Sequence, residues 1–172
     1  MNNIIEDFVK EIRSKFDLLD AEYPALNQVS LDFNSDEIAA ALAHVKASGW
    51  KQLSLLTCVD WIDENKFQLV YLVFNWENGI RIQIRTAIDR ENPKFATMTS
   101  IYPGAQYYER DVHEFFGVEF EGNADSYKHL FLENWDDIPP MRKDFDSLTY
   151  SNKKYPARKY KADFNTKAGD RK

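Results

Sequence analysis

The chain has 172 residues, 44% hydrophobic and 15% aromatic, with a net charge of -6, which suits one domain with a substantial core. Its charged start does not resemble a secretory signal, and no run reaches the roughly 18 apolar residues of a membrane span, so we expect a soluble, cytoplasmic protein that meets a membrane only through partners. One cysteine, three scattered histidines and six dispersed glycines argue against a disulfide, a self-contained zinc or iron–sulfur site, and a phosphate-binding loop.

The first part of the chain predicts a helix followed by a strand. Apolar residues recur at three- and four-residue spacing over residues 3–19, which indicates an amphipathic helix. Pro24 is expected in the turn that follows. Apolar and polar residues then alternate over residues 28–33, as they do in a strand with one buried face, so a short strand is expected there.

A second helix is predicted between residues 34 and 49. Asn34 or Ser35 can cap it, and Gly49 is placed to end it. Asp36 and Glu37 in its first turn favour the positive end of the helix dipole. The residues of its predicted inner face are Ile38, Ala41, Leu42 and Val45.

Three strands are predicted next. Residues 53–61 and 67–76 are apolar runs rich in branched and aromatic side chains, and a polar DENK segment separates them, which indicates adjacent strands. Asn78 and Gly79 tolerate positive φ at both turn positions, so residues 67–76 and 80–88 are expected to form a hairpin. Isoleucines alternate with arginine and glutamine along the second strand of this hairpin, which places the arginines on one face and the core on the other.

A third helix is predicted from Gly104 to Phe116, after Pro93 ends the sheet region. Its apolar positions fall on one stripe. These positions are Ala105, Tyr108, Val112, Phe115 and Phe116.

Two pairs of titratable residues have a spacing that could carry chemistry. Glu109 and His113 lie four apart on one face of the third helix and could form an acid–base pair, but no nucleophile or metal cluster joins them, so a solvated helix edge with interface contacts is favoured. Asp125 and His129 lack the further ligands that zinc needs, so surface loop residues are favoured. Cys58, in a predicted buried strand, is interpreted as a small core residue.

The C-terminal part differs in composition from the rest. Residues 138–172 hold ten Lys or Arg against four Asp or Glu, so this segment carries +6 and residues 1–137 carry -12. An acidic body disfavours nucleic-acid binding, whereas the basic tail suits an acidic surface. From Met141 no periodic apolar pattern remains, which predicts an arm that is disordered or held by a partner. The charged cluster of the MRKDF segment can dock on a partner or be an ordinary solvated loop.

The order of elements indicates an α+β fold. We expect a mixed or antiparallel sheet of about four strands with helices packed on one face. The α+β domain is expected to cover residues 1–137, and an extended basic C-terminal arm that contacts partner subunits is expected over residues 138–172.

Two segments resemble the family of the 30 kDa subunit of respiratory complex I. They are TMTSIYPGAQYYERDVHEFFGVEFEG and, about twenty residues later, PPMRKDF. Two blocks in the right order and spacing are a specific signal, and the resemblance covers roughly residues 1–146. The matching positions include Thr99, Pro103, Gly104, Ala105, Tyr108, Glu109, Arg110, Phe116, Gly117, Phe120, Gly122, Asp125, Pro140, Arg142, Lys143, Asp144 and Phe145.

The chain also departs from the family pattern. Asn123 and Ala124 stand where the family has His-Pro, Tyr127 replaces an arginine and His129 replaces an aliphatic residue. A short basic tail replaces the long acidic extension typical of the respiratory enzymes. In this respect the chain is similar to subunits of membrane-bound [NiFe] hydrogenases, of formate hydrogenlyase-type complexes and of archaeal F420-dependent relatives.

The resemblance implies a cofactor-free structural and assembly subunit in the peripheral arm of a complex I-like membrane redox complex, on the cytoplasmic side. Such a complex passes electrons from NADH, ferredoxin or a similar donor to quinone or protons and couples this to ion translocation. The [NiFe] hydrogenase type is slightly preferred over a standard NADH dehydrogenase.

The resemblance also implies partners and contact residues. The partners would be a large subunit of the 49 kDa or hydrogenase type and iron–sulfur subunits, which would hold the iron–sulfur clusters and either a nickel–iron centre or a flavin. The alternatives are a stand-alone binding module that uses the basic tail and a small enzyme built on Glu109 and His113. The residues expected to contact partners are Tyr108, Glu109, Arg110, Phe115, Phe116, Gly117, Arg142, Lys143, Asp144 and Phe145.

Overall fold

A five-stranded mixed sheet forms the centre of this computed structural model, which describes residues 3–155 of the chain. Its strands are β1 (Leu18–Ala25), β2 (Gln28–Phe33), β3 (Gln52–Trp61), β4 (Lys66–Phe74) and β5 (Arg81–Asp89). They lie side by side in the order β1-β2-β5-β4-β3, with β2 and β5 parallel and the other neighbouring pairs antiparallel. The expected α+β class and mixed sheet are confirmed, with five strands in place of about four.

Helices and a small second sheet complete the described part of the chain. They are α1 (Asn3–Lys15), α2 (Ile38–Ala47), β6 (Lys94–Ala96), α3 (Ala105–Phe116), β7 (Glu119–Glu121) and α4 (Ser147–Lys154). β6 and β7 pair in parallel and bring the chain before α3 next to the chain after it. Within residues 3–155 no helix combines the length and the apolar character that crossing a membrane requires.

The core lies between one face of the sheet and the helices α1, α2 and α3. Along β4 every second side chain from Phe67 to Val73 is buried, and those between them stay partly exposed. β5 repeats this pattern with Ile82 and Ile84 buried. Apolar side chains of the three helices join the same buried cluster. The sheet therefore has one covered face, as alternation along a strand requires, and one face that the three helices leave open.

Several predicted elements are confirmed where the sequence placed them. β2 occupies residues 28–33, and β4 and β5 form the expected hairpin. α3 lies between Gly104 and Gly117, and Gly117 ends it with a φ of 82°. The four residues predicted for the inner face of α2 are fully buried.

Three details near the start of the chain were predicted wrongly. The first helix ends at Lys15, and Pro24 lies in a strand, β1, instead of a turn. This strand is at the edge of the sheet and mostly exposed, so it shows no alternation, and an edge strand tolerates the missing N–H of proline. The predicted cap of the second helix by Asn34 or Ser35 was also wrong. The residue before the helix is Glu37, and it makes no side-chain cap. Asn34 lies in the preceding turn, where its backbone carbonyl accepts a hydrogen bond from the N–H of Glu37.

The β4–β5 turn is wider than the two-residue turn that Asn78 and Gly79 predicted. Only Gly79 has positive φ, at 68°, and its N–H donates to the carbonyl of Asn75 at 3.0 Å. The side chain of Asn78 instead accepts a hydrogen bond from the N–H of Ile80. The pair still marks the hairpin, but the turn type was wrong.

Pro93 does not end strand formation, and the C-terminal segment is not wholly extended. The carbonyl of Pro93 accepts a 2.7 Å bond from Glu119, next to the β6–β7 pair. Residues 147–154 form α4, because the side chain of Asp146 accepts bonds from the N–H groups of Leu148 and Thr149 and caps the helix. The rest of the predicted arm, residues 156–172, lies outside the described part of the chain.

Candidate functional site

The side chain of Glu109, on α3, is fully buried and fastens two other segments to the helix. Its Oε1 accepts a hydrogen bond from the backbone N–H of Met98 at 2.8 Å. Its Oε2 accepts bonds from the hydroxyl of Thr97 at 2.6 Å and from the side-chain amide of Asn123 at 2.8 Å. The segment between β6 and α3 and the loop after β7 are therefore both held by one carboxylate.

Burial raises the pKa of Glu109, although the hydrogen bonds from Thr97, Met98 and Asn123 oppose this effect. Burial also raises the pKa of the phenol of Tyr71, and the nearby charge of Glu109 adds to this. The interpretation of Glu109 as part of a solvated helix edge was wrong, because the residue occupies the buried side of α3. Both oxygens of its carboxylate are bonded within the chain.

The disfavoured acid–base pair, Glu109 and His113, is not assembled. His113 places its Nδ1 2.9 Å from the carbonyl of Val118, whereas Glu109 uses both of its oxygens inside the protein. The second pair is also separated: Asp125 bonds to Gln106, and His129 lies 3.5 Å from Glu114. Among residues 3–155 no group of three or more His, Cys, Asp or Glu is placed to hold a metal ion.

Two charged residues of α3 hold the loop over residues 128–132. Arg110 donates from its guanidinium to the carbonyls of Lys128 and His129, at 3.1 and 2.9 Å. Glu114 accepts bonds from the backbone N–H groups of Leu130, Phe131 and Leu132. Burial opposes ionisation of Glu114, but these three donors hold its pKa below the ordinary value. The loop is therefore built onto the helix.

The aromatic side chains of α3 differ in how far they are buried. Tyr108 is half-buried and donates its hydroxyl to the carbonyl of Ser54 at 2.7 Å. Phe115 is half-buried against Phe131, with ring centroids 6.2 Å apart. Phe116 packs in the core, and it and Glu109 are the two predicted contact residues of α3 whose side chains are buried.

The RKDF segment is bound to the end of the main sheet. Asp60, at the end of β3, is buried and forms a two-bond ion pair with Arg90, after β5, at 2.7 and 3.1 Å. The backbone N–H of Lys143 donates to Asp60 at 2.8 Å, and the carboxylate of Asp144 lies 2.9 Å from Arg90. Burial opposes ionisation of Asp60, but the bonds from Arg90 and Lys143 lower its pKa.

Cation–aromatic contacts complete this attachment. The guanidiniums of Arg90 and Arg142 lie 5.5 and 5.6 Å from the centre of the Phe67 ring. The ammonium of Lys143 lies 5.9 Å from the centre of the Trp61 ring. Arg142 also pairs with Asp144, with 3.2 Å between Nε and Oδ1.

Phe145 joins a small aromatic cluster beyond this attachment. Its ring lies 5.2 Å from that of Trp135 and 5.6 Å from that of Tyr150 on α4. The RKDF segment thus connects α4 to the main sheet. Arg142, Asp144 and Phe145 make ion-pair or ring contacts within the chain, so the segment is attached to the body, and its contact with a partner stays a prediction. Among the four, Lys143 leaves its ammonium without an ion pair in the described part of the chain.

Asp60 and Arg90 were not singled out in the sequence, although a signal for Asp60 exists. Leu56, Cys58 and Asp60 occupy alternate positions of β3, and all three are buried. A carboxylate on the inward phase of a strand requires a buried partner. Cys58 is confirmed as a core residue, and burial raises the pKa of its thiol.

The surface around α3 presents several large side chains. They lie on α3 and on the two segments that it and the sheet hold in place. The most exposed of them are Tyr107, Tyr127, Phe131 and Met141, at 64, 60, 71 and 58%. His113, Glu114, Tyr127 and Trp135 also line an adjacent pocket of about 280 Å³. Large rigid side chains of this kind supply much of the energy of protein interfaces.

Comparisons with known proteins show a family match over most of the chain. The family model described as "Respiratory-chain NADH dehydrogenase, 30 Kd subunit" matches residues 31–151. The "NADH-ubiquinone oxidoreductase 30.4 kDa subunit, mitochondrial" of Neurospora crassa is 32% identical over 119 residues, which cover 69% of this chain and 41% of that protein. An NADH-quinone oxidoreductase subunit of Moorella thermoacetica is 25% identical over 142 residues, covering 82% of this chain and 95% of the relative.

A solved structure matches over most of both chains. It is a chain of the membrane-bound sulfane sulfur reductase, described as an archaeal respiratory membrane complex, with a TM-score of 0.84 and 34% sequence identity. The match covers 91% of this chain and 94% of that one. The chain thus spans less than half of the Neurospora protein but nearly the whole of two shorter relatives.

Proposed function

The chain belongs to the family of the 30 kDa subunit of respiratory-chain NADH dehydrogenase, and from this premise we propose that it is a cofactor-free structural subunit in the peripheral arm of a membrane redox complex. A family model that matches residues 31–151 supports its role as a subunit of a respiratory complex. Its own work in that role is to pack against other subunits and hold them in position.

The observation that carries this proposal is the way α3 and the end of the sheet fix two surface segments. Arg110 and Glu114 fasten the loop over residues 128–132, and Asp60 fastens the RKDF segment. Because these segments are ordered before any partner binds, association costs less conformational entropy. A preformed surface that carries exposed aromatic side chains suits a scaffolding subunit.

The partner proposed for this surface is the large subunit of the complex, of the 49 kDa or hydrogenase type, with the iron–sulfur subunits beside it. Of the ten residues predicted to contact partners, only Glu109 and Phe116 are buried. The other eight remain at least partly accessible and stay in the proposal: Tyr108, Arg110, Phe115, Gly117, Arg142, Lys143, Asp144 and Phe145. Iron–sulfur clusters, and either a nickel–iron centre or a flavin, would lie in the partners. The complex would hold the chain on the cytoplasmic side of the membrane.

The kind of complex is a finer proposal. The nearly full-length match to a chain of an archaeal sulfane sulfur reductase supports a membrane redox complex other than a standard NADH dehydrogenase. The basic composition of residues 138–172, in which the chain is similar to subunits of [NiFe] hydrogenases, keeps that type as the slightly preferred one.

The test is purification of the tagged chain from its native host in mild detergent, followed by mass spectrometry and by nickel, iron and flavin analysis. Nickel together with iron–sulfur subunits would support the hydrogenase type. Iron and flavin without nickel would support an NADH dehydrogenase and overturn the preference. Recovery of the chain alone would overturn the proposed role as a subunit.

A further inference from the structure

The face of the main sheet opposite α1, α2 and α3 is apolar and partly exposed. We call it the open face and define it by the outward residues of β3 and β4 and by the neighbouring turn residue Trp76. Its apolar members are Leu55, Val59, Trp61, Val70, Leu72, Phe74 and Trp76. Trp76 is 77% exposed, and Leu55 and Trp61 are each 40% exposed. A patch of several large apolar side chains on one face indicates an interaction surface.

The strand pairing makes the open face continuous. Leu55 lies opposite Leu72, and Thr57 lies opposite Val70, on the paired strands β3 and β4. Because side chains of one phase point to one side of a sheet, these residues form adjoining rows. The backbone holds the rows rigidly, so they present a fixed surface to an incoming partner.

Two cations lie at opposite ends of the open face, each over an aromatic ring. Arg81 lies 5.8 Å from the centre of the Phe74 ring, which in turn packs edge-on against Trp76 at 4.9 Å. Lys143 lies 5.9 Å from the Trp61 ring at the other end. Within residues 3–155 neither cation has a carboxylate partner.

The other charges of this face are mostly neutralised by each other. Arg85 bonds to Asp32 at 2.8 Å and lies 2.8 Å from Glu22. Lys66 pairs with Glu64. Glu77, in the turn beside Trp76, is exposed and carries a negative charge. Asp89 is also exposed on the outward phase of β5, and Lys51 lines the pocket beside Phe74 and Trp76. Arg81 and Lys143 are the cations that lie over aromatic rings of this face, where a partner's carboxylates would be favoured.

We propose that the open face packs against an apolar surface of another subunit of the complex, with carboxylates of that subunit opposite Arg81 and Lys143. This inference rests on the proposed function and adds a second contact surface, across the sheet from α3. A protein partner fits better than an anionic membrane, because lipid-binding surfaces cluster about four to eight basic residues. Here Lys51, Arg81 and Lys143 are spread over the two ends of the face and lie among the exposed carboxylates Glu77 and Asp89.

Two substitutions test the apolar part of this surface in the full chain, purified with its native complex. Trp76→Ala removes the most exposed aromatic side chain, and Val59→Glu places a carboxylate in the middle of the face. Each should lower recovery of the partner subunits about tenfold, the scale for loss of an interface anchor or for burial of an unpaired charge. Leu26→Glu, at a residue that is 77% exposed in the β1–β2 turn, is the matched control and should leave recovery unchanged.

Charge reversal tests the cationic ends. Lys143 also belongs to the RKDF segment of the first surface, so Arg81 is the cation that tests the open face by itself. Arg81→Glu should reduce recovery several-fold, and the wild-type association should weaken as salt is raised. Thermal unfolding of each purified variant is the control for folding. A melting temperature equal to that of the wild type shows that the effect lies in assembly and not in folding.

The outcomes separate this inference from the function on which it rests. Partner recovery in the wild type and its loss in Val59→Glu and Trp76→Ala would support the open face as an interface. Wild-type recovery in both variants would overturn it and leave the proposed function intact. Recovery of the wild-type chain alone would overturn both. Binding of the purified chain to anionic phospholipid vesicles, or its dimerisation, with loss of either in Val59→Glu, would assign the face to a membrane or to a second copy and overturn the inference.

Discussion

Asp60 and Arg90 form a two-bond ion pair at the end of the main sheet, with 2.7 Å between Oδ1 and Nε and 3.1 Å between Oδ2 and Nη2. Both side chains are largely buried, at 2 and 9% exposed. The same carboxylate accepts a bond from the backbone of Lys143. A single pair, 30 residues apart in sequence, therefore determines where the C-terminal segment lies on the body.

Asp60→Asn should destabilise the protein by about 3–5 kcal/mol, because it leaves the guanidinium of Arg90 without its main partner in a buried site. Urea unfolding at pH 7 measures this. Asp136→Asn is the control, since it removes an exposed pair with Lys154 and should cost about 1 kcal/mol or less. Equal effects of the two variants would show that Asp60 does not anchor the segment.

The raised pKa of Glu109 predicts a specific pH dependence. A carboxyl whose folded pKa lies above its ordinary value of 4.5 binds more protons in the folded state, so its contribution to stability falls as pH rises from that value through the folded pKa. Asp60 and Glu114 have lowered pKa values, so the stability that they contribute is lost as pH falls through their folded pKa values.

Comparison with Glu109→Gln isolates the contribution of Glu109. The difference in free energy of unfolding between wild type and variant, measured by urea unfolding from pH 4 upwards, should shift steadily against the wild type as pH rises above 4.5. A flat difference for Glu109→Gln would contradict the burial-raised pKa.

Arg110→Ala and Arg142→Ala should leave the chain folded but weaken assembly of the complex. Arg110 holds the carbonyls of Lys128 and His129, so its loss frees the loop that carries Phe131. Hydrogen exchange over residues 128–132 should become faster in Arg110→Ala and stay unchanged in Arg142→Ala. Wild-type yields of complex from both variants would refute the role of these segments in the interface.

Gly122→Ala should be destabilising by more than about 1 kcal/mol, because its φ is 94° and a Cβ would lie 2.9 Å from the side chain of Thr97. Gly104→Ala is the matched control, since a Cβ there meets nothing within 4 Å and its φ is -63°. We expect a change of about 0.5 kcal/mol or less for the control. Thermal unfolding of the two variants checks this, and equal melting temperatures would contradict the close approach of Gly122 and Thr97.

Features that depend on neighbouring residues in the sequence were predicted, and features that depend on contacts between distant segments were missed. α3 was found with its ends because Gly104 and Gly117 bracket a stripe at helical spacing, which is local information. β1 was missed because an exposed edge strand shows no alternation. The burial of Glu109 depends on Thr97 and Asn123, which lie on other segments, and no local pattern reveals such a contact. The pairing of Asp60 with Arg90 was missed for the same reason.

The central claim is that this chain is a structural subunit whose preformed surface packs on the large subunit of a respiratory complex. Cross-linking mass spectrometry of the native complex, with a lysine-reactive reagent, tests it most directly. Lys128 and Lys143 flank the proposed surface and have exposed side chains. We predict cross-links from both lysines to the large subunit. An intact complex in which these lysines react with the reagent but cross-link only within this chain would contradict the claim.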